Sequence, residues 1–92
     1  MSGGKKTLSI VIPAYNEERT IEAIIRAVQS VPLDGVEKEI IVVDDRSTDG
    51  TRQRLQSFDG QIRTVFHDRT LGKGAAVKSG FAVATGDFVV IQ

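Results

Sequence analysis

The groups that could do chemistry gather at three places in this 92-residue chain: Asn16-Glu17-Glu18, Asp44-Asp45-Arg46-Ser47-Thr48-Asp49-Gly50 and Gly72-Lys73-Gly74. Adjacent carboxylates such as Asp44 and Asp45, beside an apolar run, repel each other and are costly to bury without partners. Successive side chains of an extended segment point to opposite sides, so one Asp can face a ligand while the other holds the loop. Lys73, at the opening of a helix, suits a phosphate, because exposed helix N–H groups and an ammonium both attract an anion. Each cluster also has a plainer use. Asn16, Ser47, Thr48 and Asp49 are good helix caps, Glu17 and Glu18 suit a positive first turn, and the glycines can form a turn around a solvated lysine. His67, the only histidine, reads as a surface loop residue.

Two familiar nucleotide motifs do not fit. Gly72-Lys73-Gly74 lacks the third glycine of the dinucleotide fingerprint and comes after the third expected strand, not the first. Lys78-Ser79 has no glycine directly before the lysine, so the Walker pattern is not met.

The elements that must position these groups are legible from periodicity. Leu8–Ile12 is an apolar run ended by Pro13 and reads as a buried strand. Ile21, Ile24, Ile25, Val28 and Val31 recur at helical spacing, with Asn16 as the expected cap and Pro32 and Asp34-Gly35 as the stop. Glu39–Val43 reads as a central strand, apolar on both faces. A second helix is expected from Ser47 or Thr48 to about Phe58, and an edge strand over Ile62–Phe66. The third helix, about Lys73 to Thr85, carries Ala76, Val77, Gly80, Phe81 and Ala84 on one face, with Gly86 as its stop. Phe88–Ile91 is the fourth strand.

The order β-α-β-α-β-α-β calls for an α/β, Rossmann-like, three-layer half-domain: a parallel four-stranded sheet, expected order 3-2-1-4, with helices on both faces. Ligands of such sheets bind outside the carboxyl ends of the strands, where strand order reverses. The polar clusters after strands one and two lie at that edge.

Composition narrows the function classes. The chain is 40% apolar, and twelve basic residues balance twelve acidic ones, so no global field favours nucleic acid or an anionic membrane. Without cysteine, disulfides and thiolate metal sites drop out, which fits a reducing cytoplasm. No stretch approaches the roughly 20 apolar residues of a membrane span. Residues 1–7 read as a flexible tail.

Four segments in register resemble a known family: Ser9–Glu17, Ile41–Thr51, Gly72–Phe81 and Thr85–Ile91. Together they resemble the N-terminal part of a family-2 inverting glycosyltransferase with the GT-A fold, most of all the dolichyl- and polyprenyl-phosphate sugar transferases. The resemblance implies a UDP- or GDP-linked sugar donor. Pro13, Ala14, Tyr15 and Glu17 match the first nucleotide-binding segment, packing on base and ribose. Asp45 matches the acid that accepts from a ring N–H of the base, with Asp44 its neighbour in the same segment, and Lys73 matches a basic residue near the diphosphate. Arg46 departs from the pattern, since relatives usually have glycine there.

In such enzymes the fourth strand runs into an Asp-x-Asp motif that holds Mg²⁺ or Mn²⁺ on the diphosphate. The sequence ends at Gln92, where that motif is due. The expectation is therefore a nucleotide-sugar-binding half over residues 8–92 that binds no metal by itself and does not catalyse transfer alone. Two other readings compete: a structural α/β module that forms a homodimer through an exposed sheet edge, and a receiver-like phosphoacceptor built on Asp44-Asp45. The last is the weaker, because receivers carry the acidic pair after the first strand.

Overall fold

Two strands of this chain are apolar on both faces, and the architecture follows from covering them. In the computed structural model, which describes residues 5–92, these are β1 (Lys6–Ala14) and β2 (Val36–Asp44). The other elements are α1 (Ile21–Ser30), α2 (Thr51–Leu55) continued by a 3-10 turn over Gln56–Phe58, β3 (Arg63–Phe66), α3 (Lys73–Val83) and β4 (Phe88–Ile91). The sheet runs β3-β2-β1-β4, and every neighbouring pair is parallel. The α/β class and the strand order agree with the sequence reading. Of residues 1–7, expected as a flexible tail, Lys6 and Thr7 pair with Val36 and Glu37 in the sheet, and residues 1–4 lie outside the described part.

The core has two layers, one on each side of the sheet. Ile10, Ile12, Ile40 and Val42 pack against Ile21, Ile25 and Val28 of α1 and against Leu55 and Phe58. Val11, Ile41 and Val43 point the other way, onto Ala76 of α3. The alternation of neighbouring residues between the layers is the period of a strand. Burying each large aliphatic side chain contributes about 1.5–3 kcal/mol.

Helix ends differ from the sequence expectation. Asn16 does not cap α1. The chain makes a further turn first, closed by Thr20 and Ile21 N–H groups on the Glu17 carbonyl, and the helix begins after Thr20. Pro32 holds Val31 extended and ends α1. The last turn of α1 has no basic residue of its own. Lys38 of β2 supplies the cation, donating to the carbonyls of Val28 (2.7 Å), Gln29 (3.2 Å) and Val31. Neither Ser47 nor Thr48 caps α2. Asp49 does that work through the Thr51 N–H at 2.9 Å, while Gly50 occupies the cap position.

α3 lies unusually close to β1. Ala76 and Gly80 are its buried residues, and a Cβ on Gly80 would overlap the Val11 methyl groups. Phe81, expected on the buried face, is 48% exposed, because a helix this near the sheet leaves room only for small side chains beneath it. α3 stops at Val83, and Thr85 and Gly86 serve a different purpose. Glu39 of β2 accepts from Ser9 Oγ (2.6 Å), Thr85 N–H (2.9 Å), Thr85 Oγ1 (2.9 Å) and Arg63 (3.4 Å). Ser9 Oγ in turn accepts from Gly86 N–H at 2.9 Å. This clamp joins β1, β2, β3 and the turn before β4 at the amino end of the sheet.

Two outcomes follow for stability. Gly80→Ala should lower unfolding free energy by about 1–3 kcal/mol through overpacking, and Val11→Ala in the same chain should recover part of the loss, both measured by urea denaturation. For Glu39, burial opposes the charge, but the Ser9, Thr85 and Arg63 donors outweigh it and hold the carboxyl at about 2 against an ordinary 4.5. Its folded value is depressed, so its contribution is full above 4.5 and is lost as pH falls through about 2. Glu39→Gln should cost about 1–3 kcal/mol at neutral pH, and the difference from the parent should shrink across that acid window.

Candidate nucleotide site

The loops after β1 and β2 are built as one piece. Ser47 Oγ accepts the Asn16 N–H (2.9 Å), Thr51 Oγ1 accepts the Glu17 N–H (2.9 Å), and Asp49 accepts the Glu18 N–H (3.2 Å). In return Asn16 Oδ1 accepts the Thr48 N–H (2.8 Å) and Asp49 N–H (3.3 Å), and Glu18 accepts the Gly50 N–H (3.0 Å). Asn16, read from sequence as a helix cap, is instead the hinge pin between loops. Its φ of 51° is a conformation asparagine tolerates better than most residues. Arg46 adopts φ 65° without that tolerance. The left-handed backbone explains why glycine suits this position, and Arg46 carries a strain of about 1–2 kcal/mol there.

The acidic pair divides its labour. Asp44 is fully buried. It accepts from Ser47 N–H (3.0 Å), Ser47 Oγ (2.5 Å) and Arg52 Nε (2.6 Å). Arg52 also donates to the His67 carbonyl at 2.8 Å and lies 4.7 Å over the Phe66 ring. Asp44, grouped from sequence with the nucleotide-binding residues, therefore braces the end of β2 against α2 and β3 and is not among the residues that line the cleft.

Asp45 faces the other side. Its carboxylate accepts the N–H groups of Leu71 (2.8 Å) and Gly72 (2.9 Å) and lies 2.8 Å from His67 Nδ1. Burial raises its proton affinity, yet the donors from Leu71, His67 and Gly72 outweigh burial and hold the carboxyl below its ordinary value. Asp45 is thus a carboxylate at neutral pH.

A cleft of about 400 Å³ opens beside it, lined by Pro13, Ala14, Tyr15 and Glu17 after β1, Asp45 after β2, Thr70, Gly72, Lys73 and Ala76 around the start of α3, and Gln92 after β4. Its place is the switch point, where the chain, having built β2 and β3 on one side of β1, crosses to place β4 on the other. Of the sequence-selected residues, Pro13, Ala14, Tyr15, Glu17, Asp45 and Lys73 meet here and Asp44 does not. Tyr15 is half exposed, leaving a ring face open. Gly72 holds φ 100°, the turn that brings two N–H groups onto Asp45 and starts α3 at the cleft.

Sequence reasoning missed Thr70, Ala76 and Gln92 as lining, and misplaced His67. That histidine is only 8% exposed. Its signal was register: Asp44 pairs with Phe66, so the next residue of each parallel strand, Asp45 and His67, must be neighbours. Among the described residues, no group of three or more His, Cys, Asp or Glu side chains converges as a metal set would.

Known proteins share this fold. Glucosyl-3-phosphoglycerate synthase of Mycobacterium tuberculosis is 37% identical over 92 aligned positions, covering 92% of this chain and 28% of that protein. Its crystal structure with Mn²⁺, uridine diphosphate and glucosyl-3-phosphoglycerate superposes with a TM-score of 0.78 at 36% identity, over 95% of this chain and 33% of that one. The mannosyltransferase PcManGT from Pyrobaculum calidifontis, in complex with GDP-Man and Mn²⁺, gives 0.78 at 27% identity, over 92% and 26%. S. aureus TarS 1–349 with UDP gives 0.81 at 26% identity, over 94% and 26%. The chain spans about 28% of the length of the curated relatives it matches. These matches do not carry the narrower likeness to dolichyl- and polyprenyl-phosphate sugar transferases. The family model for glycosyl transferase family 2 matches residues 9–92, from the first buried residue of β1 onward, and the chain belongs to that family.

Proposed function

We propose that this chain forms the nucleotide-holding part of a sugar-donor site, for a UDP- or GDP-linked sugar. The observation that carries the reading is Asp45, an ionised and nearly buried carboxylate at the wall of the switch-point cleft. A carboxylate so placed reads a ring N–H of a base, and a desolvated acceptor makes that bond stronger than it is in water. Tyr15, with Pro13 and Ala14, offers a face for base and ribose, and Glu17 adds a polar group at the same wall. Lys73 and the N–H groups at the start of α3 suit the diphosphate.

In the whole family enzyme the reaction is sugar transfer with inversion to an acceptor oxygen, of which a polyprenyl phosphate is one option. Mg²⁺ or Mn²⁺ on the diphosphate would stabilise the leaving group there. This chain's residues bind and orient the nucleotide. No helix among the described residues is long and apolar enough to cross a membrane.

A second reading rests on β4. Phe88, Val89, Val90 and Ile91 are 38–59% exposed along a sheet edge, a surface that invites pairing with a second copy. Light scattering at high concentration separates the cases: a clean monomer removes the assembly reading.

The direct test is an amide-resolved NMR titration with UDP and then GDP, with and without Mg²⁺. Shifts should centre on Ala14–Glu17, Asp45–Ser47 and Lys73, and a dispersed spectrum without shifts at millimolar nucleotide would sink the proposal. Asp45→Asn should weaken the preferred nucleotide about tenfold or more, the worth of a bond to a charged acceptor. Because the Asp45 carboxyl sits below its ordinary 3.8, the affinity ratio of the parent to Asp45→Asn should hold from neutral pH down to that value and fall only beneath it, whatever the nucleotide's own phosphate does at about pH 6. Lys73→Ala should cost about threefold to tenfold at low salt and less at high salt, by screening.

A further inference from the structure

His67 stands at the meeting point of β2, β3 and α3, and no family motif quoted above includes it. Its Nδ1 lies 2.8 Å from Asp45 Oδ1, and its Nε2 lies 2.8 Å from Ser79 Oγ on α3. A carboxylate only accepts, so Nδ1 carries the proton and donates. In the neutral ring Nε2 then accepts the Ser79 hydroxyl.

The consequence is a count of acceptor positions. Asp45 Oδ1 receives two donors, His67 Nδ1 and Leu71 N–H, while Oδ2 receives one, Gly72 N–H. Each carboxylate oxygen accepts about two bonds, so the remaining capacity is on Oδ2. His67 thereby fixes which oxygen is spent on the fold and which is left for the cleft. The ring is held in turn by Ser79, in the second turn of the helix whose cap Gly72 and first residue Lys73 line the same cleft. Base wall and helix start become one rigid unit.

We infer that His67 is a positioning residue for base recognition: through its bond to Oδ1, backed by Ser79, it keeps Asp45 turned so that Oδ2 accepts the ring N–H of the bound nucleotide. This rests on the nucleotide reading above. A merely space-filling histidine would need neither bond, and would affect all ligands of the cleft alike.

The test compares matched ligands that differ only in that N–H: UDP against N3-methyl-UDP, and GDP against N1-methyl-GDP, by isothermal titration. The parent chain should prefer the unmethylated member of one pair by about tenfold or more. His67→Leu should cut that preference to about threefold or less while binding of the methylated ligand stays within about twofold. His67→Asn, whose amide places an N–H close to that of Nδ1, should restore most of it. Ser79→Ala, which removes only the outer bond, should lower the preference at least about twofold, and it decides the matter if His67→Leu fails to fold. Preference retained in both His67→Leu and Ser79→Ala would overturn the inference and leave the Asp45 reading standing. No preference in the parent chain would overturn both.

Discussion

Asp45 carries a charge at 4% exposure, and an ionised carboxylate in that position costs several kcal/mol unless donors surround it. The donors come from far along the chain: His67, Leu71 and Gly72. Satisfying one buried charge therefore fixes where β3 must end, where α3 must begin and how the loop between them turns. Gly72 takes a left-handed conformation to reach it. The cleft is the space left beside that arrangement, and its shape is set before any ligand enters. Preorganisation of this kind lowers the cost of ordering a site on binding.

The second carboxylate of the pair shows the same physics applied to structure. Asp44 is wholly buried and spends its oxygens on Ser47 and Arg52. Arg52 then reaches the His67 carbonyl and the Phe66 ring. The two acids thus anchor two sides of β3, one through its backbone and one through a side chain at its end. Asn16 ties the first loop to the second in the same currency of backbone N–H groups. Loops so connected hold Tyr15 and Glu17 at a set distance from Asp45.

The amino end of the sheet is closed by a separate device. Glu39 and Ser9 bind the turn before β4, and Gly80 lets α3 settle against β1. Close packing there has a visible cost, since Phe81 is turned outward. The sheet is thereby stiffened at both ends, around the cleft at one and through the Glu39 clamp at the other, with the apolar centre of β1 and β2 between them.

Much of the molecule was legible in the residues. Apolar runs at strand length, alternating with helical spacing and broken by Pro and Gly, determined the α/β class. The polar segments after strands one and two marked the edge of the sheet at which the cleft opens. These features are local, and local periodicity reports which face of an element is apolar. Only the tertiary structure decided which Asp faces the cleft, that His67 is buried, that Asn16 links loops and that Thr85 joins a clamp. Each of those outcomes depends on partners distant in sequence: 22 residues from Asp45 to His67, 27 to Gly72 and 32 from Asn16 to Thr48. A polar residue's choice between capping its own helix and bonding a neighbour's backbone is settled by which donors the fold brings within hydrogen-bonding reach. No stretch of the sequence read alone contains that information.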